Sequence, residues 1–73
     1  MPRLRVVRRN TDIYVEDEDN APVIVPVSNA EARPHEVYEG LLARGLSLPN
    51  REDFLYVLMQ AIYRGEDFEV DMS

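Results

Sequence analysis

Residues 3–16, RLRVVRRNTDIYVE, decide the fold. Two runs rich in branched apolar residues, 3–9 (RLRVVRR) and 12–16 (DIYVE), flank Asn10-Thr11. Branched side chains suit a pleated surface and asparagine suits a tight reversal, so the stretch reads as two short strands joined by a two-residue turn. Side chains of a strand alternate between faces. Leu4 and Val6 therefore share one face, as do Ile13 and Val15 on the partner strand, and Arg3 and Arg5 project to the opposite side.

Outward from this hairpin, EDEDNAP (16–22) is a charged loop that Pro22 brings to an end. VIVPV (23–27) is a third strand; Pro26 has no N–H to donate, so it belongs at an edge or an end. The helical half is expected to begin after Ser28-Asn29. Pro34 favours a first helical turn, and Glu36 complements the positive end of the helix dipole. Val37, Tyr38, Leu41 and Leu42 recur at helical spacing, and Gly45 is placed to stop the helix in a left-handed conformation. Gly40 within that helix costs up to about 1 kcal/mol relative to alanine, so the helix depends on tertiary support.

The short link LSLP (46–49) implies two packed helices. In the second, Asn50 is the N-cap, Glu52 and Asp53 lie at the dipole's positive end, and Gly65 follows Arg64 as the stop. Phe54, Leu55, Val57, Leu58, Ala61 and Ile62 form its apolar stripe. The tail FEVDM (68–72) alternates with period two, as a further strand or as a frayed end. The expected class is α+β: an N-terminal hairpin or small antiparallel sheet packed against two short helices, in a single domain spanning 1–73.

Composition narrows the function. A chain of 73 residues buries only about 60% of the surface it exposes when unfolded. There is no cysteine, hence no disulfide and no thiolate chemistry, which fits a reducing cytoplasm. No apolar run approaches the roughly 20 residues of a membrane-spanning helix, and Met1-Pro2-Arg3 leads into a strand and not a signal peptide.

The net charge of −6 is divided unevenly: residues 1–9 hold four of the eight arginines and no acid, and residues 10–73 hold all fourteen acids. The acids concentrate in Glu16-Asp17-Glu18-Asp19 and in Glu66, Asp67, Glu69 and Asp71. So acidic a body is repelled by bare phosphate, which argues against general nucleic-acid binding. Arg3, Arg5, Arg8 and Arg9 either form a cationic arm for a partner or neutralise acids of a neighbouring strand. Every cation is arginine, which suits bidentate contacts to carboxylate or phosphate but also follows from codon usage in a GC-rich genome.

Catalysis has little material here. His35, the one histidine, stands beside Pro34 without a recognisable triad partner and reads as a surface or capping residue. The EDED run lacks the spaced ligands and central glycine of a calcium loop, and Gly40, Gly45 and Gly65 are too scattered to cradle a phosphate. A helix-turn-helix reader is disfavoured, because the second helix would meet DNA with Glu52 and Asp53. A non-enzymatic protein-binding module without cofactor or small-molecule substrate remains. An arginine-rich strand can add to a sheet edge or reach into an acidic or nucleic-acid channel, and Leu4, Val7 and Tyr14 are candidate apolar anchors.

The length, the MPRLRVVRR opening and the acidic, lysine-free character resemble a small phage-encoded regulator of bacterial RNA polymerase. The resemblance covers the whole chain and rests on size and overall character, with no diagnostic motif. It implies inhibition of transcription initiation by displacement of the sigma factor, and antitermination by readthrough of terminators. It also implies a binding site on the beta-prime subunit near the RNA exit channel, in the host cytoplasm, with no enzymatic step. Arg3, Leu4, Arg5, Val7, Arg8 and Arg9 are then the expected contact residues, with local contact to nascent RNA. The competing expectation is an acidic mimic of nucleic acid that inhibits a host nucleic-acid-binding protein or nuclease through its carboxylate clusters.

Overall fold

The hairpin forms as its sequence dictates. In the computed structural model, which describes residues 3–65 and 68–72, β1 (Leu4–Arg9) and β2 (Asp12–Glu16) pair antiparallel, with Val7 opposite Tyr14 and Arg5 opposite Glu16. Asn10 takes a φ of 55° at the turn, a conformation that asparagine tolerates better than any other residue with a side chain except aspartate. β3 (Val23–Pro26) adds antiparallel to β2, and β4 (Glu69–Met72) adds antiparallel to the other side of β1. The order β3-β2-β1-β4 puts Pro26 on an edge strand, where its missing donor costs no ladder hydrogen bond. The period-two tail becomes the opposite edge.

Three helices follow β3: α1 (Val27–Ala32), α2 (Pro34–Ala43) and α3 (Arg51–Arg64). The first was not expected. Val27 continues the apolar run of β3 in sequence, but its N–H donates to the Thr11 carbonyl (2.9 Å) and the chain turns into a six-residue helix whose Ala30 is fully buried. Arg33, at φ −139° and ψ 61°, separates α1 from α2, because the ring of Pro34 disfavours a helical conformation in the residue before it.

α2 ends as Gly45 predicts. At φ 90°, Gly45 donates to the Leu42 carbonyl and Leu46 to the Leu41 carbonyl, and Leu41 and Leu46 meet in the core, the paired bonds and apolar contact of a Schellman stop. Leu42, expected on the inward stripe, is instead exposed. α3 opens on Asn50, whose side-chain oxygen accepts the Asp53 N–H (2.9 Å) while its amide donates to the Asp53 carboxylate (3.1 Å).

All three helices lie on one face of the sheet. Leu4 and Val6 of β1, Ile13 and Val15 of β2, and Val25 of β3 meet Tyr38, Leu41, Phe54, Leu58 and Ala61 in the core. Each large aliphatic or aromatic side chain so buried contributes about 1.5–3 kcal/mol. Tyr38 also donates its hydroxyl to the Pro49 carbonyl (2.8 Å), which satisfies the polar end of this buried ring.

Candidate functional site

Strand parity divides the expected contact residues. Leu4, Val6 and Arg8 point toward the helices, while Arg5, Val7 and Arg9 point away, with Arg3 continuing their side. Leu4 is 2% exposed within the core, so it is unavailable as an anchor for a partner. Arg8 crosses the core edge to α3, where its guanidinium donates to the carbonyls of Ala61 (3.1 Å) and Ile62 (2.6 Å), and its Nε donates to the Asn10 carbonyl (3.1 Å). Those α3 carbonyls belong to the last helical turn and have no intrahelical donor, so a cation there both satisfies them and matches the negative end of the dipole. Arg8 therefore joins hairpin to helix and is not part of a free arm.

Nor can β1 extend a partner's sheet. Both of its sides are paired, by β2 and by β4; the edges belong to β3 and β4. Arg5, on the outer face, is surrounded by carboxylates. It is bonded to Glu69, with Glu16 at 3.8 Å and Asp71 at 3.9 Å. The Glu69 hydrogen bond, followed by the charge of Glu69 itself, raises the Arg5 pKa above its ordinary value. Arg5 thus ties three strands together across one face.

That face also carries an apolar row across the strands, of which Ile24 and part of Tyr14 are open, with arginines beside it. Ile24, Tyr14 and Val7 lie abreast on β3, β2 and β1. Val7 is only 7% exposed although it stands outside the main core, and it floors a shallow depression of about 300 Å3 walled by Arg5, Arg9, Tyr14, Glu16 and Pro22. Ile24 is 55% exposed. Arg9 donates only to the neighbouring Arg8 carbonyl (3.3 Å), and neither Arg3 nor Arg9 joins an ion pair among the described residues.

The acidic clusters are partly engaged inside the molecule. Asp17 is a latch: one carboxylate oxygen accepts the N–H groups of Asp19 (3.0 Å) and Asn20 (2.8 Å), and the other accepts the Ser47 N–H (3.1 Å). The loop after β2 is thereby fastened to the α2–α3 connection. The Ser47 bond is the leading cause that holds the Asp17 carboxyl below the usual carboxylate range. Sequence alone gave this aspartate no such role. Glu16, Asp17, Glu18 and Asp71 converge on a second depression of about 210 Å3, but Arg3 and Arg5 line it with them. Glu66 and Asp67 lie outside the described residues. Among the described residues, no helix is long and apolar enough to cross a membrane, and no three metal-ligating side chains cluster.

Four of the six expected contact residues, Arg3, Arg5, Val7 and Arg9, thus fall on one face, joined by Tyr14 and by Ile24, which sequence reading passed over as ordinary strand. No protein-family model, curated protein or solved structure matches the chain, and its own residues carry the functional reading.

Proposed function

We propose that this protein is a non-enzymatic regulator that binds bacterial RNA polymerase in the host cytoplasm, on the beta-prime subunit near the RNA exit channel. It would inhibit initiation by displacing the sigma factor and promote antitermination. The choice of partner rests on the resemblance of the MPRLRVVRR opening and the acidic, lysine-free character. The observation that supports a binding role is the uncovered outer face of the sheet. Ile24 and Tyr14, in line with the largely covered Val7, lie open beside Arg9, which joins no ion pair among the described residues, while the helices occupy the other face. Aromatic and arginine side chains are the usual anchors of interfaces, and charges around them mainly set orientation and on-rate. Arg3 and Arg9 are the groups best placed for an acidic protein surface or for local contact with nascent RNA.

The acidic-mimic alternative has less support. Glu16, Glu69 and Asp71 surround Arg5, and Asp17 is tied to Ser47, so fewer carboxylates are free to imitate phosphates.

The test is binding to purified RNA polymerase, with and without sigma factor, by wild type and by the variants Arg3→Ala/Arg9→Ala and Tyr14→Ala. The expected result is stoichiometric binding, displaced sigma factor, and at least about a tenfold loss of affinity in each variant with unchanged unfolding curves. Wild-type affinity in both variants would overturn the assigned face, and no binding by the wild type would overturn the partner.

A further inference from the structure

The two edges of the sheet are not equivalent. The Val27 N–H donates to the Thr11 carbonyl (2.9 Å), so alternation turns the N–H and C=O groups of Val23 and Val25 toward β2 and leaves Ile24 and Pro26 facing outward. Proline has no N–H, so the β3 edge offers an incoming strand only one residue with both groups. β4 differs. The Arg8 N–H donates to the Phe68 carbonyl (2.8 Å), so Val70 and Met72, opposite Val6 and Leu4, bond to β1, while Glu69 and Asp71 direct their N–H and C=O groups away from it. No strand among the described residues pairs on that side.

The side chains of that edge set a charge requirement. Glu69 and Asp71 lie exposed on the outer side of the sheet, while Val70 and Met72 pack against the core. Arg5 offsets only part of the negative charge. Arg3, Arg5, Glu16, Asp17, Glu18 and Asp71 line one depression and Glu69 is bonded to Arg5 beside it, so two full positive charges against five carboxylates leave −3. Arg9, farther along β1, stands opposite Asp12 and does not alter that balance. A strand with cations on its outer side is favoured here, and an acidic one is repelled. The inner side has the other sign: Arg8 and, at the end of α3, Arg64 are bonded to neutral groups and keep their charge. That side suits apolar residues beside Val70 and Met72.

A second copy of this chain fails the requirement. Antiparallel pairing of β4 with itself about Val70 sets Glu69 against Asp71 on both sides of the centre, and a shift by two residues sets one of these acids against itself. Like charges directly opposite are destabilising. We propose that the β4 edge is a docking site for an extended segment of a partner protein in which arginine or lysine alternates with apolar residues, added antiparallel with its cations opposite Glu69 and Asp71. Each residue so placed exchanges two backbone hydrogen bonds with the acid it faces. The same alternation carries the intervening apolar side chains to the inner side, beside Val70 and Met72. The site does not depend on the identity of the partner on the sheet face.

The test titrates end-capped peptides of about seven residues into the full-length isotope-labelled protein. A peptide alternating arginine with valine should bind saturably, more weakly with added salt, and should slow hydrogen exchange at the Glu69 and Asp71 amides at least about tenfold. Its counterpart alternating glutamate with valine should bind at least about tenfold more weakly. N-methylation of the arginine amides removes the donors that face β4 and should abolish the protection, whereas N-methylation of the valine amides, which face solvent, should leave it intact. Equal affinity for the arginine and glutamate peptides, equal effects of the two methylations, or binding without protection of Glu69 and Asp71 would overturn the proposal. Shifts centred on Tyr14 and Ile24, or no binding by the arginine peptide, would do the same. The protein alone should sediment as a monomer; a dimer that protects those two amides would give the edge to a second copy and end the proposal as well.

Discussion

Arg8 and Arg9 are adjacent in sequence and opposite in fate. Arg8 turns inward and donates to two carbonyls at the end of α3, while Arg9 turns outward and, among the described residues, donates only to the backbone of its neighbour. The same division runs through the whole sheet. Its inner face is closed by helices around Val6, Ile13 and Val15, and its outer face leaves Ile24 and part of Tyr14 open to solvent beside the largely covered Val7. Parity in a strand, more than residue type, decides whether a side chain enters the core or faces outward.

The sharpest way to break that comparison is to truncate one side chain on each face. Ile13→Ala empties a fully buried position and should cost about 2–5 kcal/mol, enough to unfold much of so small a domain. Ile24→Ala, on the outer face of β3, should stay within about 0.5 kcal/mol. Urea unfolding of both variants checks this, and a comparable loss in Ile24→Ala would mean that the outer face is structural after all.

A smaller effect separates the two arginines. Arg8→Ala leaves the Ala61 and Ile62 carbonyls without their donor and should destabilise by about 1–3 kcal/mol. Arg9→Ala should change stability by no more than about 0.5 kcal/mol and act on partner affinity instead. Reversal of that order in thermal melts would place the free cation on the wrong residue.

Smaller again is the stop of α2. Gly45 has open space where a side chain would go but a φ of 90°, so Gly45→Ala should cost about 1–2 kcal/mol through backbone strain alone. Gly40→Ala, helical and equally open, should gain up to about 1 kcal/mol. Opposite signs in denaturant midpoints would confirm that the two glycines serve different ends.

Most of the fold is legible locally. The Asn10 turn, Pro26 on an edge strand, Gly45 as a stop and the Asn50 cap each depend on residues within one turn of themselves, so their signals survive in sequence. α1 is not legible: it has no side-chain cap and no acid in its first turn, and its valine reads as the end of a strand. The outer face of the sheet is half legible, since alternation assigns Leu4 inward and Arg5 outward but does not reveal what fills the space beyond. Arg8 finds its carbonyls on α3, 53 and 54 residues away. That pairing exists only once the chain has folded, and it turns a presumed contact residue into a joint. The β4 side of the sheet was equally hidden, because β4 comes from the far end of the chain to cover the strand that looked available.

Asp17 gives the finest test of how the acidic loop differs from a merely solvated one. Its carboxylate, held below the ordinary range chiefly by the Ser47 N–H, is preferred ionised in the folded state. It therefore stabilises the fold above the unfolded carboxyl's pKa of about 3.9, and that contribution disappears as pH falls through the lower folded value. Asp17→Asn should be less stable than wild type at pH 7, and the gap should narrow steadily below about pH 4. Glu18→Gln, exposed in the same loop, should show no comparable gap at either pH. Urea midpoints for the three proteins at pH 7 and pH 3 decide the matter. A pH-independent gap for Asp17→Asn would mean that the loop is held by the shape of residue 17 and not by its charge, and a gap of equal size in Glu18→Gln would mean that overall acidity, rather than the bond to Ser47, is what the substitution disturbs.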